Sequence, residues 1–295
     1  MKTTKWLVAG MALLMTATAS AQIEPRVSRF KRVAGRAQSN MVPCPAAGYS
    51  CYPQSIAVGP NANGSTLGTA WILGTGKTSA GDYYVYQRKG SRWVRTDGAG
   101  LQIAVGIDGY PWVITHLGTI YYWNGSTFLL APGEGCATSI GVGPMQSSFN
   151  FPYGTPWIIG CNGSSTTDGS IYAFNGSGWV QAPGAANRIS VTTDGTAWVI
   201  TTTGSVFYFG FSSFLPGPAG GCASSIAAGK AGFDINTDVW ITGCGDVNSQ
   251  GAKIFQLTGD FTWMRIPGVA SQVAVSPDLG VAWVVTLTGE IFVYE

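Results

Sequence analysis

"VTTDGTAWVITTTGSVFYFG", residues 191–210, decides the fold. Asp194-Gly195 is a two-residue turn signal, and "AWVIT" is a short strand of β-branched and aromatic residues. Thr203-Gly204 turns the chain again, and "SVFYF" is the next strand. The stretch recurs. "VGIDGYPWVITHLGTIYYW" (105–123) and "VSPDLGVAWVVTLTGEIFVY" (275–294) repeat it nearly residue for residue, so the chain reads as an array of small hairpin units.

Aligning the units on the Trp of the second strand gives Trp71, Trp112, Trp157, Trp198, Trp240 and Trp283. Each is preceded by a strand such as "SIAVG" or "RISVT" and followed by an aromatic strand such as "YYVYQ" or "IYYWN". Five units add a fourth strand running into Gly, for example "GWVQAPG" and "TWMRIPG". Four short strands in each of six units predict an all-β, six-bladed β-propeller. The repeats fall at about 51–100, 101–135, 136–186, 187–221, 222–270 and 271–295. Trp71 lies 86 residues before Trp157, and Trp112 lies 86 before Trp198. Odd units carry long loops and even units tight ones, so the array is a triplicated pair of blades. The sixth unit reaches Glu295 without a fourth strand, while "SRFKRVAGRA" (28–37) matches the missing piece, with Phe30 in the Trp place. Residues 29–34 are therefore expected to pair onto the last blade and close the ring, which hides a sheet edge prone to aggregation.

With 42 Gly and 11 Trp in 295 residues and only 10% charged residues, the composition suits many short strands and tight turns. Residues 1–21 read as a signal peptide: Lys2 and Lys5, the apolar "WLVAGMALLM", then the small-residue site Ala19-Ser20-Ala21. The apolar run is too short for a transmembrane segment, so a secreted protein, extracellular or periplasmic, is expected, with 22–295 as a single propeller. Residues 22–40 are basic, with Arg26, Arg29, Lys31, Arg32 and Arg36 against Glu24. The rest is net acidic, nine Lys/Arg against 13 Asp/Glu, which argues against a nucleic-acid partner.

The cysteines follow the repeat. Cys136 and Cys161 flank the first two strands of unit three, and Cys222 and Cys244 do the same in unit five. In unit one Cys51 holds the first place, Thr75 stands in the second, and Cys44 is left as the partner. Positional equivalence selects disulfides 44–51, 136–161 and 222–244 from the fifteen pairings that six cysteines allow, and export makes them chemically sensible.

The unit "IAVG-DG--W-I---G-IY-WNGS-W---PG-A", clearest at 101–135 and 187–221, resembles the tectonin repeat of tachylectin-like and fish-egg-lectin-like proteins. The similarity covers roughly residues 28–295. It implies a six-bladed propeller and, by analogy, a lectin for glycans or bacterial surface carbohydrate. Fold analogy informs function only as a starting point.

Six equivalent Trp rings read as packing between blades rather than as sugar platforms. Asp108-Gly109 and Asp194-Gly195 read as turns. His116 is the one histidine, and no partner for it is evident in the sequence. There is no G-x-S-x-G elbow, no metal-ligand cluster and no phosphate loop, so no catalytic residue, metal or cofactor is expected. The best polar candidates are Asp82, Asp168 and Asp246, which recur in the second long loop of units one, three and five. The apolar candidates are the loop aromatics Tyr83, Phe149, Phe151, Tyr153 and Phe233, because sugar faces pack on aromatic rings. Together they predict a non-enzymatic carbohydrate-binding face with up to three related sites, multivalent for surface glycan. A protein-binding scaffold is the alternative, and a propeller lyase or glycosidase, short of acid and base groups, comes after it.

Overall fold

Each hairpin unit folds as a four-stranded antiparallel meander in the computed structural model, which describes residues 30–33, 55–61, 66–148, 151–164, 166–230 and 238–294. The expected signal peptide, Cys44, Cys51, Phe149 and Phe233 lie outside the described residues. Within them the chain forms 24 strands in six separate sheets and no helix: an all-β, six-bladed propeller. Blades one to five span 55–100, 102–130, 137–186, 188–216 and 223–270, and blade six takes 272–294. The outer strand of blade six is β1 (Phe30–Arg32), which pairs antiparallel with β24 (Ile291–Tyr294), Phe30 opposite Tyr294. Phe30 packs its ring against Tyr294 at 5.0 Å and edge-on against Trp240 at 6.4 Å, and Arg32 pairs with Glu290 at 3.1 Å.

Alternation along the strands builds six cores instead of one. Trp198 and Ile200 face blade five and pack with Val239 and Ile241, whereas Val199 between them packs with Ile159 and Ile171 of blade three. Equivalent clusters fill every other gap between successive blades, including that between blades six and one. Trp71, Trp112, Trp198, Trp240 and Trp283 are at most 3% exposed and Trp157 is half-buried, so the repeated Trp is core, as the strand pattern implied. The Asp-Gly turns need glycine because Gly109 and Gly195 sit at φ 80° and 89°.

The first strands of all six blades surround a central channel of about 820 Å³. The blades are stitched there by serine. Ser55, Ser139 and Ser225 lie in the first strands of the odd blades, and the three hydroxyls accept the backbone N–H groups of Ile103, Ile189 and Val273 on the next blade. Disulfides Cys136–Cys161 and Cys222–Cys244 tie first strand to second in blades three and five, with 5.4 Å between α-carbons in both. Gly118 and Gly204, at φ 79° and 84°, lie so close to these bridges that a Cβ would come within 2.6 Å of sulfur.

Candidate functional site

The sequence reading gathers the candidate residues on one face; the meander separates them. Antiparallel strands put the loops joining strands one to two and three to four on one face, here the upper, and those joining two to three on the other. Phe151 and Tyr153 belong to the upper loop of blade three, whereas Asp82, Asp168 and Asp246 belong to lower loops and Tyr83 begins the strand that follows Asp82. One surface cannot present both groups.

On the lower face the aspartates act as latches between blades. Asp82, 6% exposed, accepts the backbone N–H of His116 on blade two at 2.6 Å. Its other oxygen accepts the ring Nδ1–H of His116 at 3.0 Å, so the one histidine of the chain has a carboxylate partner 34 residues away. Asp168 accepts the backbone N–H of Thr202 on blade four at 2.7 Å, the same latch without an imidazole. Asp246 is not the third copy. Strand register places Gly251 opposite Ala270's neighbours where Asp82 and Asp168 stand in blades one and three, and a Cβ there would meet Ala270 at 2.3 Å. The carbonyl of Gln250 takes over and accepts the N–H of Leu287 at 2.7 Å. Asp246, at φ 52°, pairs instead with Lys253, and that bond holds its carboxyl below the usual carboxylate range. Tyr83 lies under the ammonium of Lys77, 4.5 Å from its ring centre.

On the upper face the turn aspartates latch too. Asp108 accepts the N–H of Met145 at 2.6 Å, and Asp278 that of Asn61 at 2.7 Å, each drawing the long loop of an odd blade onto the preceding even blade. Burial raises the pKa of Asp108, with the Met145 bond pulling against it. These loops then cover the even-blade tryptophans. Trp112 donates its Nε1–H to the carbonyl of Tyr153 at 2.8 Å, and Trp283 to that of Leu67 at 2.9 Å. Phe151 and Tyr153 are half-buried, with Phe151 5.8 Å from Trp112, and both rings about 5 Å from Tyr122. Over Trp283 stands the guanidinium of Arg88, 5.3 Å from the ring centre.

Between blades four and five the same platform is differently furnished. Trp198 stacks on Tyr208 at 5.1 Å and 29°, and a cavity of about 270 Å³ remains beside them. Phe261, from the turn before the fourth strand of blade five, leans over it, 5.6 Å from Tyr208 and 6.4 Å from Trp198. Its backbone is left-handed, φ 55°, a conformation costly for a bulky residue, and its side chain is partly open to solvent. Asp194, Thr192, Thr196 and Thr258 line the polar side. Burial pushes the Asp194 carboxyl up, but bonds from Thr192 and Thr196 outweigh it and leave the pKa lowered. The cavity thus joins flat aromatic faces to an ionised acceptor held by its own turn. The sequence reading takes Asp194 as a turn residue and does not single out Phe261, which only the odd placing of an aromatic in "TGDFTW", where units two and three have Asn-Gly turns, marks.

Among the described residues no group of three or more His, Cys, Asp or Glu could hold a metal ion, and no helix is long and apolar enough to cross a membrane. No protein-family model matches the chain. No curated protein matches it either. Solved structures do. The SapL1 lectin in complex with alpha methyl fucoside is similar at TM-score 0.54 and 16% identity, over 82% of this chain and 90% of that one. A gluconolactonase of Xanthomonas campestris, XC5397, is similar at 0.53 and 12%, over 83% and 88%. BBS1N, solved in complex with ARL6, is similar at 0.50 and 12%, over 85% and 94%. At these identities the likeness is one of fold, shared by a lectin, an enzyme and a protein-binding propeller.

Proposed function

We propose that the chain is a secreted, non-enzymatic lectin of the tectonin type that binds surface carbohydrate in the cavity between blades four and five. One observation carries this reading: the Trp198–Tyr208 stack, roofed by Phe261 and edged by Asp194, leaves about 270 Å³ beside it. Sugar rings present C–H faces to aromatic surface and hydroxyls to fixed acceptors, and both are supplied here at one place. The lower-face aspartates are less suited, since Asp82 and Asp168 already hold backbone N–H groups. The His116–Asp82 pair serves the same latch as Asp168, which argues for a structural use rather than an acid–base one. Two disulfides accord with an oxidising compartment and thus with export of the chain after removal of residues 1–21. That SapL1, a propeller of similar fold, is solved with a methyl fucoside adds a precedent for the class of ligand.

A glycan array of the purified protein tests the reading. Binding to a defined set of glycans, lost in Phe261→Gly, is expected. If the parent binds none, the lectin reading fails and the propeller is a protein-binding scaffold. If Phe261→Gly binds the same glycans as the parent, the site is elsewhere.

A further inference from the structure

Among the described residues that line it, the central channel offers donors and a cation but no carboxylate. Arg188 begins the first strand of blade four and lines the channel, and Gln102 and Gln272 hold the equivalent places on blades two and six. Arg188 has no ion pair and no side-chain hydrogen bond among the described residues. Solvent reaches it, and partial desolvation by the strands around it lowers its pKa. An arginine held so, with five N–H donors and no carboxylate among the described residues that line the channel, is poised for an anion from outside the chain.

Its surroundings narrow the kind of anion. Ser55, Ser190 and Ser225 line the channel, and each hydroxyl accepts a backbone N–H from the next blade. A hydroxyl that accepts in this way keeps its own proton to donate. The amide of Gln102 gives its Nε2–H to Ser139 at 3.3 Å, while its buried Oε1 has no partner among the described residues. Between these polar points the wall is apolar, formed by valine, isoleucine and alanine of the first strands. The lining therefore matches a ligand with one carboxylate, several hydroxyls and an apolar ring face. Phosphate or sulfate would use the arginine and the serine donors but leave the apolar wall without complement.

We propose that the channel binds a sugar acid, its carboxylate on Arg188 and its hydroxyls on the serine and glutamine groups of neighbouring first strands. This site is separate from the cavity between blades four and five and does not rest on it.

The test is calorimetric titration of the purified full chain with D-glucuronate and, in parallel, D-glucose at matched ionic strength. Glucuronate is expected to bind and glucose to bind far more weakly. Arg188→Gln places in blade four the residue that blades two and six already carry, so the fold is kept. It should weaken glucuronate about 10- to 100-fold, the scale of a lost charge-assisted bond. Phe261→Gly should leave glucuronate binding unchanged, which separates this site from the proposed glycan cavity. The proposal is overturned if the parent does not bind glucuronate, or if Arg188→Gln binds it as tightly as the parent. It is overturned equally if N-acetyl-alanine binds in an Arg188-dependent way and glucuronate does not, since the channel would then recognise a peptide carboxylate.

Discussion

The gap between blades two and three and the gap between blades four and five start from the same residues and end differently. Both present a strand-two Trp, Trp112 or Trp198, with a strand-three Tyr beside it, Tyr122 or Tyr208. In the first, Asp108 draws the upper loop of blade three inward, and Phe151 and Tyr153 complete an aromatic core. In the second, a single ring, Phe261, arrives from a different turn and a cavity remains. A repeated strand therefore sets where an aromatic platform stands, and the neighbouring blade's loops decide whether it becomes core or site. Threefold sequence symmetry in the strands coexists with three distinct treatments of the even-blade Trp, the third being Arg88 over Trp283.

The largest expected effect strikes both gaps alike and serves as the reference. Deleting residues 22–38 removes β1 and with it the Phe30 contacts to Trp240 and Tyr294. The melting temperature should drop sharply, and light scattering should reveal aggregation through the exposed edge of β24. A truncated chain that melts with the parent and stays monomeric would show that β1 does not close the ring.

Next in size are the platforms themselves. Trp112→Ala should cost about 3–5 kcal/mol by denaturant unfolding and leave the glycan profile intact. Trp198→Ala should cost about the same and also abolish glycan binding. If the two variants cannot be told apart on the array, the contrast between the gaps carries no function. The pair Phe151→Ala and Tyr153→Ala should cost about 2–4 kcal/mol together, because both rings are half-buried against Tyr122. This outcome reverses what their loop position alone suggests. Phe261→Gly should do the opposite: glycan binding is lost, while stability is unchanged or rises by about 1 kcal/mol as the left-handed backbone is relieved.

Strand count, blade number, the buried Trp ladder, the two described disulfides and the glycine turns were all legible in the chain because each is set by local pattern or by equivalence between repeats. What escaped reading depends on contacts between blades. The partner of His116 is Asp82, and the partner of Asp108 is the N–H of Met145; neither spacing has a local signature. Asp246 seemed to continue the series of Asp82 and Asp168 because sequence spacing through a loop does not reveal strand register, which puts Gly251 in that place. The split of the loop aromatics and aspartates between two faces follows from the meander itself, and needed only the direction of each strand to be tracked. The cavity could not be read at all, since Trp198 and Phe261 are 63 residues apart and belong to different blades.

The smallest predicted effect concerns the residues that end the two upper loops. Blade three has Thr155 there, and blade five has Asp238, each two residues before the strand-two Trp. Burial raises the pKa of Asp238 to about 6, with Lys230 and a bond from Gln256 opposing it. Its carboxyl oxygen lies close against Gly280 of blade six, where a Cβ would stand 2.3 Å away. A carboxyl whose pKa is higher in the folded state than its ordinary value near 3.9 stabilises the fold while protonated. That contribution is complete below about pH 4 and is lost as the pH rises through about 6. Asp238→Thr gives blade five the residue of blade three and removes this titration. The variant should gain about 1–2 kcal/mol over the parent at pH 8, allowing for solvent screening, and the gain should shrink toward pH 4. Denaturant unfolding at several pH values measures it. A stability difference that stays constant from pH 4 to pH 8 would mean that the carboxyl is not the source, and that the two loop ends differ in packing alone.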